Sequence, residues 1–327
     1  MHECVSHWML WYEQNARPLP WRFTKDPYKI WLSEIILQQT QVAQGLPYYQ
    51  EFVNKYPSVF ELAKAHDDEV FSLWQGLGYY SRARNLLKTA RWVAFENNGN
   101  FPETAQKLAL LPGIGPYTAA AIASFAFGET EPALDGNAFR VLSRLYNLEL
   151  PIDVPTSRKV YRSLAIELMR HAKADLFNQA IMELGATICK PNPKCEICPV
   201  FDCCEARAMG NAHKLPFKSP PKPKKELTIR YALVLNEDGQ VFVKRRPSKG
   251  IWSNLYEFPN WLENYKEQAL FEIEHVLTHR KLHIQVAFVT GYATEIQDCI
   301  SVRPTDLINY GFPVPLLRAL KHYGLYP

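Results

Sequence analysis

The sequence lacks long hydrophobic runs, and its charges nearly balance. No apolar stretch among its 327 residues approaches the ~20 residues that a membrane-spanning helix needs. The first residues contain charge and Trp8 where a signal peptide has a clean apolar stretch, so we expect neither a membrane nor a secreted protein. Lys and Arg outnumber Asp and Glu by 37 to 33, a formal charge of +4. This small excess permits an anionic partner without identifying one.

Cysteine is scarce outside one short segment. Five of the 7 Cys fall between Cys189 and Cys204, which favours a metal or cluster site in a reducing compartment. No organelle or nuclear signal is evident, so we expect a bacterial cytoplasmic protein and leave nuclear and mitochondrial locations open. At about 150 residues per domain, the length predicts two domains. With 47% hydrophobic residues, either half can bury a core without disulfides.

The periodicity of the apolar residues changes near residue 214. Before it, helical spacing between short Gly and Pro turns predicts an all-α domain over 1–213, with helices over 30–42, 82–95, 116–127, 138–148 and 158–169. Residues 214–225 are rich in Lys and Pro, which is typical of a linker. Residues 226–327 predict a small α+β domain, with a hairpin of strands 227–235 and 241–244, a strand over 283–289 and a helix over 316–322.

Two carboxylates occur in contrasting surroundings. Glu34 has mostly apolar neighbours on its predicted helix, which raises its pKa and favours the protonated acid, although a rim Glu that reaches water fits the same position. Asp135 directly precedes a helix, whose free N–H groups favour a negative charge, although a plain N-cap also fits. Together the two positions predict a protonated Glu34 and an ionised Asp135. Cleavage of a bond between a sugar C1 and its leaving group needs one carboxyl in each state.

The segment 110–118 predicts a hairpin between two helices. Gly113 and Gly115 let the backbone approach a phosphate, and the N–H groups that start the next helix can bind it without reading sequence. A simple corner between helices is the alternative. Since no third glycine follows and no strand precedes, the pattern is not a dinucleotide-binding fingerprint.

The cysteine run places Cys189, Cys195, Cys198 and Cys204 at intervals of five, two and five intervening residues, with Cys203 beside the last. Four thiolates suit zinc, and one compact loop suits an iron–sulfur cubane equally well. The residues alone leave the two open. Lys190 and Lys194 lie within this loop and either contact phosphate or solvate the loop.

Several motifs occur together and in a fixed order. They are LPWR at 19–22, WLSEIILQQTQV at 31–42, GLGYY at 76–80, the predicted hairpin, LDGN at 134–137, FNQA at 177–180 and the cysteine run. In this order they resemble the MutY-type adenine DNA glycosylases of the helix-hairpin-helix glycosylase superfamily. The resemblance covers nearly the whole chain.

The resemblance implies an enzyme that extrudes adenine mispaired with 8-oxoguanine or guanine and hydrolyses its N-glycosidic bond. Glu34 would protonate N7 of adenine, Asp135 would stabilise the cationic C1′, and Asn137 would help to place Asp135. Tyr117 stands where related bifunctional enzymes place a Schiff-base Lys, so the resemblance implies a monofunctional enzyme that acts as a monomer on double-stranded DNA.

Further site residues follow from the same resemblance. The residues that match the adenine pocket are Gln179, Arg22, Trp21 and Leu37, and those that match the wedge beside 8-oxoguanine are Gln39 and Tyr79. The four cysteines would hold a [4Fe–4S] cluster that braces a DNA-contacting loop. The family usually has six residues in the first interval where this chain has five, and Cys203 is a rival to Cys204 as fourth ligand.

The second domain is similar to the family's MutT-like (Nudix-fold) domain. A working Nudix hydrolase would continue after Pro259 with a helix of metal-binding carboxylates, and this chain has no such cluster there. Leu277-Thr278-His279 stands where the family often has Phe-Ser-His, so Thr278 and His279 are candidates for reading 8-oxoguanine.

Three other functions were weighed. The missing carboxylates speak against a nucleotide-pool hydrolase, and the presence of both Glu34 and Asp135 speaks against a silent lesion-binding protein. A glycosylase for thymine or oxidised pyrimidines is the runner-up, and Gln179 together with the second domain favours adenine instead.

Overall fold

The computed structural model describes residues 2–220, 223–260, 269–277, 280–292 and 296–326. The density of internal contacts divides the chain into two compact units, each described by itself below. The first contains Met1–Tyr49, Val53–Ala63 and Lys88–Pro220, and the second contains Gln50–Phe52, Lys64–Leu87 and Pro221–Pro327. The linker at 214–225 stays a prediction, because the second unit also includes residues from the helical part of the sequence. None of the described helices is long and apolar enough to cross a membrane.

Helices dominate the chain up to residue 208, as the sequence predicts. They are α1 (His2–Asn15), α2 (Pro27–Leu37), α3 (Val42–Lys55), α4 (Val59–Lys64), α5 (Asp67–Leu73), α6 (Ser81–Arg91), α7 (Ala105–Leu108), α8 (Pro116–Phe127), α9 (Gly136–Leu145), α10 (Pro155–Met169), α11 (Ala174–Thr187) and α12 (Glu205–Ala208). The predicted helix over 82–95 begins as α6 and widens into a π-helical turn over Trp92–Glu96.

The predicted helix over 30–42 is wrong in its length. Helix α2 ends at Leu37, and α3 begins at Val42. Gln39 in the turn has φ +57°, a left-handed conformation that non-glycine residues rarely adopt. Gly45 allows the chain to fold back here, because a Cβ at that position would lie 2.8 Å from Leu37 Cδ2. The turn therefore presents Gln39 on an exposed corner rather than on a helix face.

The core of the first unit surrounds α9 and α11. Large buried side chains from α1, α9, α10 and α11 fill it, among them Trp8, Phe139, Tyr161 and Phe177. Trp8 and Phe177 pack edge to face at 5.6 Å, as do Phe139 and Tyr161 at 5.3 Å. This packing fixes α9 against α11, and both helices carry residues of the predicted site.

The second unit contains a mixed six-stranded sheet. Its strands are β1 (Lys225–Asn236), β2 (Val241–Arg245), β3 (Tyr256–Glu257), β4 (Ala269–Val276), β5 (Arg280–Tyr292) and β6 (Ile300–Val302), in the order β3-β2-β1-β5-β4 with β6 also pairing to β2. The predicted β1–β2 hairpin is confirmed, since Leu235 pairs with Val241. Strand β5 includes the predicted strand and pairs in parallel with β1, Leu227 opposite Leu282. Helix α13 (Val314–His322) covers the buried face and includes the predicted closing helix.

Candidate active site

Glu34 lies in the most apolar stretch of α2. Its neighbours Ile30 and Trp31 are buried, and Glu34 itself is 7% exposed. Burial raises the pKa of the Glu34 carboxyl to about 7, the negative charge of Asp135 raises it further, and a hydrogen bond with Tyr117 partly offsets the rise. The prediction of a carboxyl that keeps its proton is therefore confirmed, and the rim position is excluded.

Asp135 is the N-cap of α9. Its Oδ1 accepts a hydrogen bond from the backbone N–H of Ala138 at 2.7 Å, and its Oδ2 accepts one from Asn137 Nδ2 at 2.8 Å. The prediction of a lowered pKa for Asp135 is wrong. Burial raises the pKa, and the hydrogen bonds and Arg140 only partly counteract that rise. The site thus brings together two carboxyls whose pKa values are both raised.

Arg140 and the close approach of α11 hold the Asn137 side chain in place. Its Oδ1 accepts from Arg140 Nη2 at 2.7 Å, and Arg140 also donates to the carbonyls of Gly185 and Cys189. A Cβ at Gly185 would stand 2.6 Å from that of Asn137, so α11 approaches the start of α9 this closely because residue 185 has no side chain. Arg140 and Gly185 were not predicted. They connect the Asp135 turn to the cysteine loop.

Tyr117 lies in the first turn of α8, buried against the acid. It shares a hydrogen bond with Glu34, and its hydroxyl donates to Met182 Sδ at 3.7 Å. Burial and the two carboxyls hold the pKa of Tyr117 well above its ordinary value, so the phenol stays neutral. The side chain that stands here is thus a hydrogen-bond donor and not an amine.

Two of the four predicted adenine-pocket residues, Gln179 and Arg22, have hydrogen-bond partners along α11 or belong to it. Gln179 accepts a hydrogen bond from Tyr12 Oη at 2.7 Å. One turn later, Glu183 is completely buried and accepts from Arg17 Nε at 2.7 Å and from Arg22 Nη2 at 2.7 Å. Burial alone would raise the pKa of Glu183, but the hydrogen bonds and charges of the two arginines outweigh it and lower the pKa.

The two other predicted pocket residues have packing partners. Trp21 packs edge to face on Tyr49 at 5.0 Å, and Leu37 contacts the site of Gly45. Both are half-buried, so each retains an exposed surface.

The prediction missed Tyr12, Arg17 and Glu183. Glu183 lies four residues after Gln179, a spacing that places both on one helix face, and this signal could have found it. Its two arginine partners stand more than 160 positions away in the sequence, and no local pattern points to them.

The hairpin forms between α7 and α8 as predicted. Gly113 has φ +77°, and Gly115 is the N-cap of α8 with no side-chain capping bond and open space where a Cβ would lie. Gln38 donates to Thr118 Oγ1 at 3.1 Å, which ties the end of α2 to this turn. The free N–H groups at the start of α8, a helix of 12 residues, can donate hydrogen bonds to an anion.

The four predicted ligand cysteines line one cavity, together with Arg144 and Lys194. Among the described residues, no three His, Cys, Asp or Glu side chains are placed to hold a single metal ion. In a cubane each thiolate binds a different iron atom, so its sulfurs stand further apart than around one zinc. Burial and the neighbouring thiols raise the pKa of Cys198 to about 12, and Arg144 Nη1 donates to Cys189 Sγ at 3.4 Å. Four thiols around one cavity are the donor set that a [4Fe–4S] cluster requires.

Cys203 does not line this cavity. It is bonded to Cys4 of α1, with 6.4 Å between the two Cα atoms. Cys204, which lines the cavity, therefore stays the predicted fourth ligand. The sequence did not predict this disulfide. Lys190 and Lys194 are exposed on the loop, as expected for either of their two roles.

Tyr79 belongs to the second unit and has φ +45°, with 47% of its surface exposed. It lines a cavity of about 560 Å³ together with Arg84, Trp252, His275 and Arg280. Arg84 donates to Ser253 Oγ at 2.7 Å and to its carbonyl. Thr278 and His279 lie outside the described residues, directly after Leu277 of this cavity.

Two family models match the chain. Residues 32–165 match the HhH-GPD superfamily of base excision DNA repair proteins, and residues 230–322 match the NUDIX domain. The chain is therefore a multidomain base excision repair protein in which a helical glycosylase domain precedes a NUDIX domain with a mixed sheet.

Similar proteins of known function indicate which kind of base excision repair protein this is. The adenine DNA glycosylase of Buchnera aphidicola (subsp. Baizongia pistaciae) is 36% identical, over 85% of this chain and 84% of its own. The human adenine DNA glycosylase is 35% identical, over 90% of this chain and 67% of its own. The chain belongs to the MutY-type adenine DNA glycosylases and is a DNA glycosylase of base excision repair.

Solved structures agree with the fold. A thermostable thymine-DNA glycosylase is 31% identical with a TM-score of 0.58, over 63% of this chain and 95% of its own. An endonuclease III–DNA complex is 20% identical with a TM-score of 0.54, over 63% and 94% of the two chains, and it supports the fold alone.

Proposed function

We propose that this glycosylase removes adenine paired with 8-oxoguanine or guanine by monofunctional hydrolysis. The observation that carries the proposal is the Glu34 carboxyl, whose pKa of about 7 lets it act as an acid at neutral pH beside a second carboxyl, Asp135. A general acid contributes most when its pKa lies near the working pH.

The chemistry divides between the two carboxyls. Glu34 donates its proton to N7 of adenine, and the electron pair of the breaking C1′–N9 bond passes into the base. Asp135, placed by Asn137 and the Ala138 N–H, stabilises the positive charge at C1′. Water then adds to C1′ and gives up a proton, which leaves free adenine and an abasic sugar.

The base must leave the duplex to reach these groups, because Glu34 is buried and Asp135 is half-buried. Gln179, Arg22, Trp21 and Leu37 form the pocket that receives it. Tyr117 supports monofunctional action, since the Schiff base that a lyase step requires forms only with an amine, and a phenol has no nitrogen to supply.

The DNA is held mainly by backbone groups. Gly113 and Gly115 offer N–H groups to a phosphate, Lys190 and Lys194 add charge, and these contacts hold the duplex without reading sequence. Gln39 and Tyr79 wedge beside the opposing base, in keeping with the left-handed backbone of both residues. Thr278 and His279 read 8-oxoguanine.

Cys189, Cys195, Cys198 and Cys204 hold a [4Fe–4S] cluster, which braces the loop that carries Lys190 and Lys194. The placement of the thiols supports this assignment, because all four line one cavity. The enzyme works as a cytoplasmic monomer, and all proposed site residues come from one chain.

The test is a base-release assay on duplexes that differ only in the base opposite adenine: 8-oxoguanine, guanine or thymine. We expect adenine release from the first two, with strand cleavage only after alkali. Cleavage before alkali would contradict monofunctional action, and equal release opposite thymine would contradict the mispair assignment.

The reading of the opposing base is tested in the full chain by His279→Ala. The expected result is a smaller ratio of rates for 8-oxoguanine over guanine. His283→Ala is the control, since His283 lies in β5 against Glu226 and Glu274. The same ratio in both variants would exclude His279 from this role. Iron and sulfide content tests the cluster, and a colourless protein with zinc would contradict it.

A further inference from the structure

Tyr12 touches the pocket although it lies in the first helix of the chain. Its side chain is buried, and its hydroxyl donates to Gln179 Oε1 at 2.7 Å. One turn earlier, Trp8 Nε1 donates to the carbonyl of Ala180 at 3.3 Å. Helix α1 thus lies along α11, and the position of the hydroxyl relative to Gln179 is set by helix packing.

The direction of the Tyr12–Gln179 hydrogen bond determines how the Gln179 amide is oriented. A Gln amide accepts through its oxygen and donates through its nitrogen, so the partner of one end decides which end faces elsewhere. Arg22 lies over the Tyr12 ring, 5.6 Å from its centre, and withdraws electron density from it. The hydroxyl is then a better donor and a poorer acceptor. Burial raises the pKa of Tyr12, so the proton to be donated is always present.

Helix α11, which carries Gln179, also contacts the side chains around Glu34. Met182, one turn further along α11, accepts from the hydroxyl of Tyr117, and Tyr117 hydrogen-bonds Glu34. Arg22 is itself fixed by Glu183 and by the carbonyl of Arg17. Arg22, which lies over the Tyr12 ring, is therefore held in place.

We infer that Tyr12 is a positioning residue for base specificity, because it fixes the Gln179 amide in the orientation that matches adenine. The inference rests on the proposed function. With one lone pair engaged by Tyr12, the amide oxygen keeps a second for the N6–H of adenine, and the amide nitrogen donates to N1, which leaves N7 free to accept the proton of Glu34. Hypoxanthine carries an oxygen at position 6, and it would face the amide oxygen. Without the Tyr12 hydroxyl, the amide can turn over and offer its nitrogen to that oxygen.

The test compares Tyr12→Phe with wild type on duplexes that contain adenine or hypoxanthine opposite 8-oxoguanine. We expect the adenine-to-hypoxanthine ratio of single-turnover rates to fall about threefold to tenfold, the size of one neutral hydrogen bond. Tyr161→Phe is the matched control. Its hydroxyl is bonded to Ser143 and to the carbonyl of Leu150 in the same unit, so it loses comparable bonds away from the pocket and should leave the ratio unchanged.

A double-mutant cycle separates positioning from general loosening. In Gln179→Leu the amide is gone, so adding Tyr12→Phe should change the ratio no further. A wild-type ratio in Tyr12→Phe, or an equal effect of Tyr12→Phe with and without Gln179, would overturn this inference and leave the proposed function standing. A wild-type enzyme that releases no adenine would overturn the proposed function instead.

Discussion

Two buried glutamates of the first unit show opposite electrostatics. Glu34 on α2 faces a phenol and another carboxyl, and its pKa rises to about 7. Glu183 on α11 faces the guanidinium groups of Arg17 and Arg22, and its pKa is lowered. Both carboxyls are removed from water, and burial is the main reason that the pKa of Glu34 is raised. At Glu183 the two neighbouring cations reverse the same effect of burial.

The opposite pKa shifts indicate different roles: Glu34 is suited to proton transfer, and Glu183 to stabilising the fold. An acid must exchange its proton at neutral pH, which requires that no cation fix its charge. A structural carboxylate keeps its charge because two cations surround it. Replacing Glu34 should therefore mainly lower the catalytic rate, whereas replacing Glu183 should mainly lower the stability.

The largest expected effect is on catalysis by Glu34→Gln. The amide cannot donate an acidic proton, so the single-turnover rate of adenine release should fall by about 10²–10⁴-fold while duplex binding survives. Exposed Glu103→Gln is the control and should retain the wild-type rate. A rate for Glu34→Gln within tenfold of wild type would remove Glu34 from the mechanism.

The second-largest expected effect is a loss of stability in the Glu183→Ala variant. It leaves Arg22 buried without its anion, and breaking a buried pair in this way costs about 3–5 kcal/mol in the free energy of unfolding. Urea denaturation measures it. Glu131→Ala removes an ion pair with Arg162 that is half exposed, and it should cost about 1 kcal/mol or less. Equal losses would mean that the burial of Glu183 carries no energetic weight.

The smallest effect concerns the pH dependence of stability. The pKa of Glu34 rises from an ordinary 4.5 to about 7 on folding, so the native state binds the extra proton and stability is lost as pH rises through this window. Glu34→Gln removes that penalty. It should stabilise the protein by roughly 3 kcal/mol at pH 8, at about 1.4 kcal/mol per pKa unit, and by little at pH 4.5. A constant difference across this range would contradict the raised pKa.

Local sequence patterns were sufficient where short-range contacts dominate. The apolar neighbours of Glu34 lie on its own helix, so its raised pKa was predictable. The hairpin glycines and the β1–β2 turn were predictable for the same reason. The raised pKa of Asp135 was not, because it depends on how deeply other helices bury the start of α9.

Long-range partners account for what the sequence did not predict. The role of Glu183 depends on arginines near the start of the chain, and the bond from Cys203 reaches Cys4. The end of α2 at Leu37 depends on close packing against Gly45, and an apolar helical pattern that continues to Val42 concealed it. Such contacts arise only once the helices are assembled.

The Cys4–Cys203 bond also determines how the protein carries mechanical load. If the chain is pulled by its two ends, tension entering at α1 passes through this bond directly to the cysteine loop. The bond spans 199 positions of sequence. At full extension such a segment measures about 700 Å. While the bond is oxidised, that length, which includes every residue of the proposed adenine pocket, is shielded from force, and the sheet of the second unit bears the load. In a reducing cytoplasm the two thiols separate, and the same pull reaches the pocket.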